Sequence, residues 1–371
     1  MTDIDTIGRD RWNMLDNGPS AQLSRPVNAA AGGRGARFLR ARSECPVPPL
    51  ADHVTNPRLI FLREIGKECL KPFLEAVIAA NVEGNVNYAH WGSTLVIDEI
   101  VELGTPLTIP AHFTLAGVGI NGGGRLRFKD LGGQPALRTQ DVDSAVLTGY
   151  SAIRDLAVEG VGGGVNAGGL FVDNAGGAGN YFLDNVMIRG FSQYGVRGGT
   201  DNYSVHLRNC IIESNGTNIL LGLRCNGWRL TDCAIRGAST WGLRVAEALN
   251  DLVVTGCRVE NNALGGVRVE GFNPNIPGDY SFGVMLVGNY FSRNSGKGIS
   301  VDSLSASDEK RVQSTRIVGN VLLDGDRLDD PWLTQNLLAE QGSTQIGFNA
   351  SSFVPPKITD PNDERIFAFM G

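Results

Sequence analysis

The sequence predicts an all-β chain folded as a right-handed parallel β-helix, on three observations. One six-residue phrase recurs seven times between Ile153 and Asp324. Its copies are Ile153-Arg-Asp-Leu-Ala-Val158, Leu183-Asp-Asn-Val-Met-Ile188, Leu207-Arg-Asn-Cys-Ile-Ile212, Leu230-Thr-Asp-Cys-Ala-Ile235, Val254-Thr-Gly-Cys-Arg-Val259, Leu286-Val-Gly-Asn-Tyr-Phe291 and Ile317-Val-Gly-Asn-Val-Leu322, spaced 30, 24, 23, 24, 32 and 31 residues apart. A period of this size signals stacked units rather than a closed core. The middle of each copy is often Asn, Asp or Gly, the chemistry of a tight bend between two short strands. A second phrase follows most copies: Gly169-Leu-Phe-Val172, Gly195-Val-Arg197, Asn218-Ile-Leu-Leu221, Gly242-Leu-Arg-Val245, Gly266-Val-Arg-Val269 and Gly298-Ile-Ser-Val301. It predicts a third strand, entered through a backbone position that favours glycine. Three strands then make one coil of about 24 residues, and successive coils lie about 4.8 Å apart, the spacing of hydrogen-bonded strands.

From the N-terminus, residues 1–60 carry no repeat. This arm holds the glycine-rich run Ala29-Ala-Ala-Gly-Gly-Arg-Gly-Ala-Arg37, the extended Pro46-Val-Pro-Pro49, and Arg34, Arg37, Arg40 and Arg42. Either a solvated tail or an attachment arm that orders on a larger assembly suits that composition. A helix is expected over Pro72 to Asn81, where Phe73, Leu74, Val77 and Ile78 share one face; it would cover the open end of the first coil. Early strands are expected at Thr94–Ile97, Pro106–Pro110, Phe113–Gly119 and Leu126–Phe128. The β-helix is assigned to residues 61–350. The longer intervals hold looped coils, such as Gly271–Asp279. After Asp324 the rhythm fails; a short helix is expected at Asp330–Glu340, and residues 351–371 form a tail.

Composition narrows the partners. A formal net charge of -6 argues against nucleic acid. No apolar run reaches membrane-spanning length, and the opening residues lack the basic and apolar regions of a secretory signal. Three of the six cysteines, Cys210, Cys233 and Cys257, fall in one inward slot at the repeat period, and Asn289 and Asn320 follow them there. A column of buried thiols continued by an amide ladder is the expected outcome, rather than a disulfide or metal site. No Cys-x-x-Cys spacing is present, Cys45 and Cys225 have no assigned place, and neither metal nor cofactor is expected.

The helix ending Ala79-Ala-Asn-Val-Glu-Gly84, followed by Gly104-Thr-Pro-Leu-Thr-Ile-Pro-Ala-His-Phe-Thr-Leu-Ala-Gly-Val-Gly119, resembles the start of pectate-lyase-like β-helix domains. The resemblance spans about residues 65–350. It implies the fold; for function it implies only a range, since that superfamily holds polysaccharide lyases, hydrolases, epimerases, phage tailspikes and non-enzymatic members. The Asn-Thr-Asp, Gly-His-Gly and Arg-Ile-Lys trio of polygalacturonases is absent, as is a pectate-lyase-like Arg-x-Pro-x-x-Arg.

In enzymatic relatives the face carrying the Gly-headed strand commonly forms the saccharide groove. Here its outward residues are Phe171, Arg197, Leu220, Arg244, Arg268 and Ser300, with Asp173, Glu270 and Asp302 just beyond the strand. Glu270 and Asp302 fall on neighbouring coils and could approach within the roughly 5–9 Å of paired glycosidase carboxylates, so they are the candidate catalytic acids. Arg244, Arg268, Arg197, Asp173 and Trp241 are the candidate substrate-binding residues, with arginines gripping sugar carboxylates and Trp241 and Tyr194 placed to stack on sugar rings or to pack against protein. Salt bridges on a scaffold would produce the same pattern. A second row, Glu159, Arg189, Glu213, Arg236 and Glu260, alternates in sign over five coils and is expected to be such a cross-strand ladder.

The expectation is a β-helix of the tailspike, fibre or decoration type that recognises a glycan, with or without cleaving it. It would sit on a virion or extracellular surface, be attached through the N-terminal arm and, as the resemblance implies, be homotrimeric. The alternatives are a polysaccharide lyase, hydrolase or epimerase working in the groove, or a solenoid without catalysis.

Overall fold

A computed structural model describes residues 59–80, 92–140, 150–162, 167–173, 180–247, 249–270, 281–302, 316–324, 326–329, 345–347 and 350–351. Within them the strands form three all-parallel sheets of 11, 10 and 9 strands, and each coil of the chain contributes one strand to each sheet in turn. The recurring phrase spans the first two strands of a coil, as in Val205–Arg208 and Ile211–Glu213, and the Gly-headed phrase is the third, as in Trp241–Val245. This third set is the groove sheet.

The bend inside each phrase explains its Asn, Asp and Gly. Asp155, Asn185, Asn209 and Asp232 sit at φ 52–53, and Gly256, Gly288 and Gly319 at φ 64–67. These are the residue types that tolerate the left-handed region. Alternation then sends every second side chain inward. Val158, Ile188, Ile212, Ile235, Val259, Phe291 and Leu322 pair in register up one sheet, all buried. Like side chains stacked on like form a continuous aliphatic column, the interior that single coils cannot make alone.

Glycine heads the third strand for a reason other than the backbone angle expected. A Cβ on Gly169 or Gly266 would lie 2.4 Å from the carbonyl oxygen of Gly195 or Gly298 on the next coil, and neither glycine has positive φ. The slot selects glycine because adjacent backbones approach closely there.

The thiol column is present. Cys210, Cys233 and Cys257 are free and buried, and their sulfurs lie 3.4, 3.5 and 3.6 Å from the carbonyls of Leu183, Leu207 and Leu230. Asn289 and Asn320 continue it: their Nδ2 atoms donate to Val254 and Leu286 carbonyls at 2.9 and 2.8 Å, and their Oδ1 atoms accept from the Cys257 and Asn289 N–H groups. Cys225 lies elsewhere in the interior, where burial pushes its thiol up to about 12. Cys69 is disulfide-bonded.

A second amide ladder, at the bend after the middle strand, was not foreseen. It runs through Asn215, Asn262 and Asn294 to Asp326, all buried. Ala238 interrupts it, and Asn218, which takes the glycine slot on its coil, reaches across the gap. Its Nδ2 donates to the Arg236 carbonyl at 3.0 Å and to Asn262 Oδ1 at 3.3 Å, while its Oδ1 accepts from Asn215 Nδ2 at 3.0 Å. Asp326 ends the ladder with a carboxyl group where the other rungs are amides. It accepts from the backbone and side-chain nitrogens of Asn294 at 2.7 and 2.6 Å, and burial raises its pKa. A carboxyl whose folded pKa is raised stabilises most when protonated, and that contribution fades as pH climbs through its folded pKa. Asp326→Asn is therefore expected to gain about 0.5–1.5 kcal/mol at neutral pH, the worth of one completed rung. Urea midpoints compared at acid and neutral pH check it, and a variant weaker than the parent at neutral pH contradicts it.

Leu59–Phe61, at the junction of the arm, already pairs with Thr94–Val96. The expected loss of rhythm after Asp324 is corrected: Arg327–Asp329, Gln345–Gly347 and Ala350–Ser351 each add a strand to one sheet. Those segments lack the six-residue phrase, so backbone pairing alone reveals them. The helix observed is Leu70–Ala80, with Pro72 in its first turn, and it buries Leu70, Phe73, Leu74 and Val77. The Phe73 ring centroid lies 6.4 Å from that of Phe113, so the helix packs against the N-terminal coils. The arm through residue 58, the loop 271–280 and the segment 330–340 lie outside the described residues.

The alternating ladder also runs further than its sequence pattern. Arg127 and Glu102 pair in register ahead of Glu159. Glu159 binds Arg125, Arg127 and Arg189, and Glu213 binds Arg189 and Arg236. At the far end Glu260 pairs with Arg258 on its own strand, at 2.9 Å.

Candidate functional site

On the groove sheet the outward row reads Arg138, Phe171, Arg197, Leu220, Arg244, Arg268 and Ser300 over seven successive coils. The predicted residues occupy it in the order expected, and Arg138 is an addition. Its coil lacks the Gly-headed phrase, so only strand pairing places it.

Arg244, Arg268 and Glu270 come together. Glu270 is 5% exposed, and its Oε2 accepts from Arg244 Nε and Nη2 at 3.2 and 2.9 Å, while Oε1 meets Arg268 Nε at 2.5 Å. Both oxygens of the carboxylate are thus engaged by guanidinium groups. A carboxylate so held is a strong positioning element for the two arginines. Asp302 is the backbone partner of Glu270 on the next coil, as the sequence spacing predicts, but its side chain lies outside the described residues.

Trp241 is 5% exposed. Its ring lies on Gly265 of the adjacent coil, where a Cβ would stand 2.1 Å away, and the Arg268 guanidinium lies 5.4 Å from the ring centroid. Tyr194 covers Gly168 in the same way. Both aromatics therefore pack against protein and orient arginines. Arg197 is exposed, with its guanidinium 5.8 Å from Tyr194 and 5.6 Å from Phe171, and it makes no ion pair among the described residues. Asp173 is not brought to Glu270. It lies four coils away, 3.8 Å from Arg138.

Between those two acids the corresponding positions are Gly199, Gly222 and Ala246; Gly199 is buried against the Phe171 ring, and Gly222 and Ala246 are partly exposed beside the row. At its N-terminal end the row opens into a cleft of about 470 Å³ between the helix and the first coils, with Lys71, Glu75, Gln134 and Arg138 supplying its polar groups. Among the described residues, no three His, Cys, Asp or Glu side chains converge as metal ligands, and no helix is long and apolar enough to cross a membrane.

Comparison with known proteins agrees with this architecture. A family model described as "Right handed beta helix region" matches residues 168–338. Among solved structures, the Dettilon tailspike protein superposes with a TM-score of 0.55 at 16% identity, covering 71% of this chain and 50% of its own. The A-module of mannuronan C-5 epimerase AlgE4 from Azotobacter vinelandii gives 0.45 at 14% identity, covering 79% and 95%. The catalytic unit of a thermostable alpha-1,3-glucanase from Streptomyces thermodiastaticus gives 0.42 at 14% identity, covering 82% and 60%. No curated protein matches the sequence. The chain spans half the length of the tailspike. At this identity the likeness speaks to fold, and the fold is the right-handed parallel β-helix expected from the resemblance to the pectate-lyase-like superfamily.

Proposed function

We propose that this right-handed parallel β-helix recognises a glycan on its groove sheet, as a virion or surface-assembly component of the tailspike, fibre or decoration type. The observation that carries the reading is the outward row, in which four arginines recur over six successive coils, with the small, partly exposed Gly222 and Ala246 beside them. Guanidinium groups give planar, bidentate contacts to sugar carboxylates, and the small residues leave room for a chain running along the solenoid axis. Fold likeness to a protein described as a tailspike supports the class. In this reading the N-terminal arm attaches the protein to its assembly and the molecule is a homotrimer.

A second reading, a polysaccharide lyase, hydrolase or epimerase, is favoured by one observation: Glu270 and Asp302 pair on adjacent coils. One experiment separates the two. Light scattering is expected to give three times the chain mass, and a bacterial glycan panel is expected to be bound without release of reducing ends or unsaturated uronates. Under the catalytic reading the parent protein releases such products, and Glu270→Gln lowers the rate by about 10²–10⁴-fold, the usual weight of a general acid or base. A monomer that binds no glycan removes the first reading.

A further inference from the structure

Basic and apolar side chains alternate along part of the groove row. Arg138, Phe171, Arg197, Leu220 and Arg244 stand on five successive coils. Each step between hydrogen-bonded strands is about 4.8 Å, so successive arginines in this stretch are about 10 Å apart at the backbone. An extended pyranose chain advances by a comparable step per sugar. A glycan lying parallel to the solenoid axis is therefore in register with the coils, and an arginine meets every second sugar.

The side chains fit that role unequally. Arg244 is committed to Glu270 at 2.9 Å, and Arg138 has Asp173 at 3.8 Å. Arg197 has no carboxylate partner among the described residues. It is held by ring faces, 5.6 Å from Phe171 and 5.8 Å from Tyr194, and Arg138 lies 5.3 Å from the same Phe171 ring. Stacking of this kind fixes a guanidinium plane while leaving its N–H edges available to an anion. Phe171 thus acts as a spacer between two cations, and its ring is unavailable as a sugar platform. Beside Arg197 and Leu220 run Gly199 and Gly222.

We infer that the ligand of the groove sheet is an extended acidic polysaccharide that turns one anionic group toward the protein at every second sugar, with Arg197 as the central contact. The inference rests on the reading of this sheet as a glycan surface. Two kinds of polymer present that pattern: an alternating charged and neutral disaccharide, or a polyuronate whose two-fold screw turns alternate carboxylates to one side.

The test is calorimetric binding to the full-length chain, using size-matched oligosaccharides of hyaluronate, polymannuronate and neutral dextran. Both acidic glycans, or one of them, are expected to bind, with affinity falling as salt rises. Arg197→Gln is expected to weaken that binding about tenfold. Arg258→Gln, the same charge change on another sheet, is expected to leave it unaltered. Preference for hyaluronate assigns the alternating source and preference for polymannuronate the screw-related one. Dextran bound as tightly as the acidic chains overturns the inference and leaves the glycan surface standing. So does an Arg197→Gln variant that binds acidic chains as the parent does. If no member of the set binds, the inference falls together with the reading beneath it.

Discussion

Truncating Asn262 to alanine is expected to destabilise the protein by about 3 kcal/mol or more, because one side chain there satisfies four buried partners. Its Oδ1 accepts from the Ala238 N–H at 3.0 Å and from Asn218 Nδ2 at 3.3 Å. Its Nδ2 donates to the Ile235 carbonyl at 3.3 Å and to Asn294 Oδ1 at 2.8 Å. Asn262 itself is fully buried, so water cannot replace what alanine removes. The molecule contains its own control. At Ala238 the same ladder already lacks an amide, and the gap is bridged only because Asn218 stands where neighbouring coils carry glycine. Asn262→Ala removes the atom on which that bridge rests, so the defect spreads across three coils. In a solenoid, where stability is a sum of coil and nearest-neighbour terms, such a defect weakens every interface it touches. Urea unfolding followed by tryptophan fluorescence, to which the buried Trp228 on the adjacent coil contributes, measures it. A loss below about 1 kcal/mol would show that the ladder's hydrogen bonds are replaceable.

The same ladder marks the limit of what the chain discloses as text. The column of Cys210, Cys233 and Cys257 was legible because its residues sit at a fixed place inside the repeated phrase, and strict two-residue alternation leaves no choice of face. Asn215, Asn262, Asn294 and Asp326 sit just outside that phrase, where the chain turns. Ala238 and Phe191 interrupt the identity, so no period stands out. Only the closing hydrogen bonds show that Asn218 belongs to the set. Within the expected span, the individual strands after Asp324 carry no repeat phrase for a related reason: pairing of Arg327–Asp329 and Gln345–Gly347 uses backbone groups, which leave little mark on side-chain pattern. At the candidate site the register of Glu270 with Asp302 and of Arg244 with Arg268 followed from spacing alone. The packing of Trp241 onto Gly265 did not, since the choice between open and covered aromatic faces depends on which way a side chain folds over its neighbour coil.

Glu159→Gln is expected to cost about 2–3 kcal/mol at neutral pH, and to remove a loss of stability that the parent shows in acid. Glu159 is 4% exposed and carries three guanidiniums: Arg125 at 3.2 Å and Arg127 at 3.0 Å, both on one strand of an earlier coil, and Arg189 at 2.7 Å on the next coil. Glutamine keeps the shape and one acceptor but leaves Arg125 and Arg127 without this counter-charge and Arg189 with Glu213 alone, at 3.6 Å. The effect stays below the roughly 3–5 kcal/mol of a fully buried pair because the arginine side chains are 21%, 34% and 43% exposed and water screens them in part. The sign of the pH effect follows from the balance at the carboxyl. Burial alone would raise its pKa, but the hydrogen bonds and charges of Arg189, Arg127 and Arg125 outweigh burial and hold it below the ordinary glutamate value. A carboxyl depressed in the folded state contributes stability that is complete above its unfolded pKa and disappears as pH falls through the folded one. The parent should therefore lose stability steeply in that acid range, and the Gln variant, already lacking the anion, should lose less. Thermal midpoints of both proteins across the acid range are expected to converge as pH falls. Parallel curves that keep their neutral-pH separation would mean that the three arginines derive little from this carboxylate, and that the alternating ladder is a pattern of surface charge with no part in joining the coils.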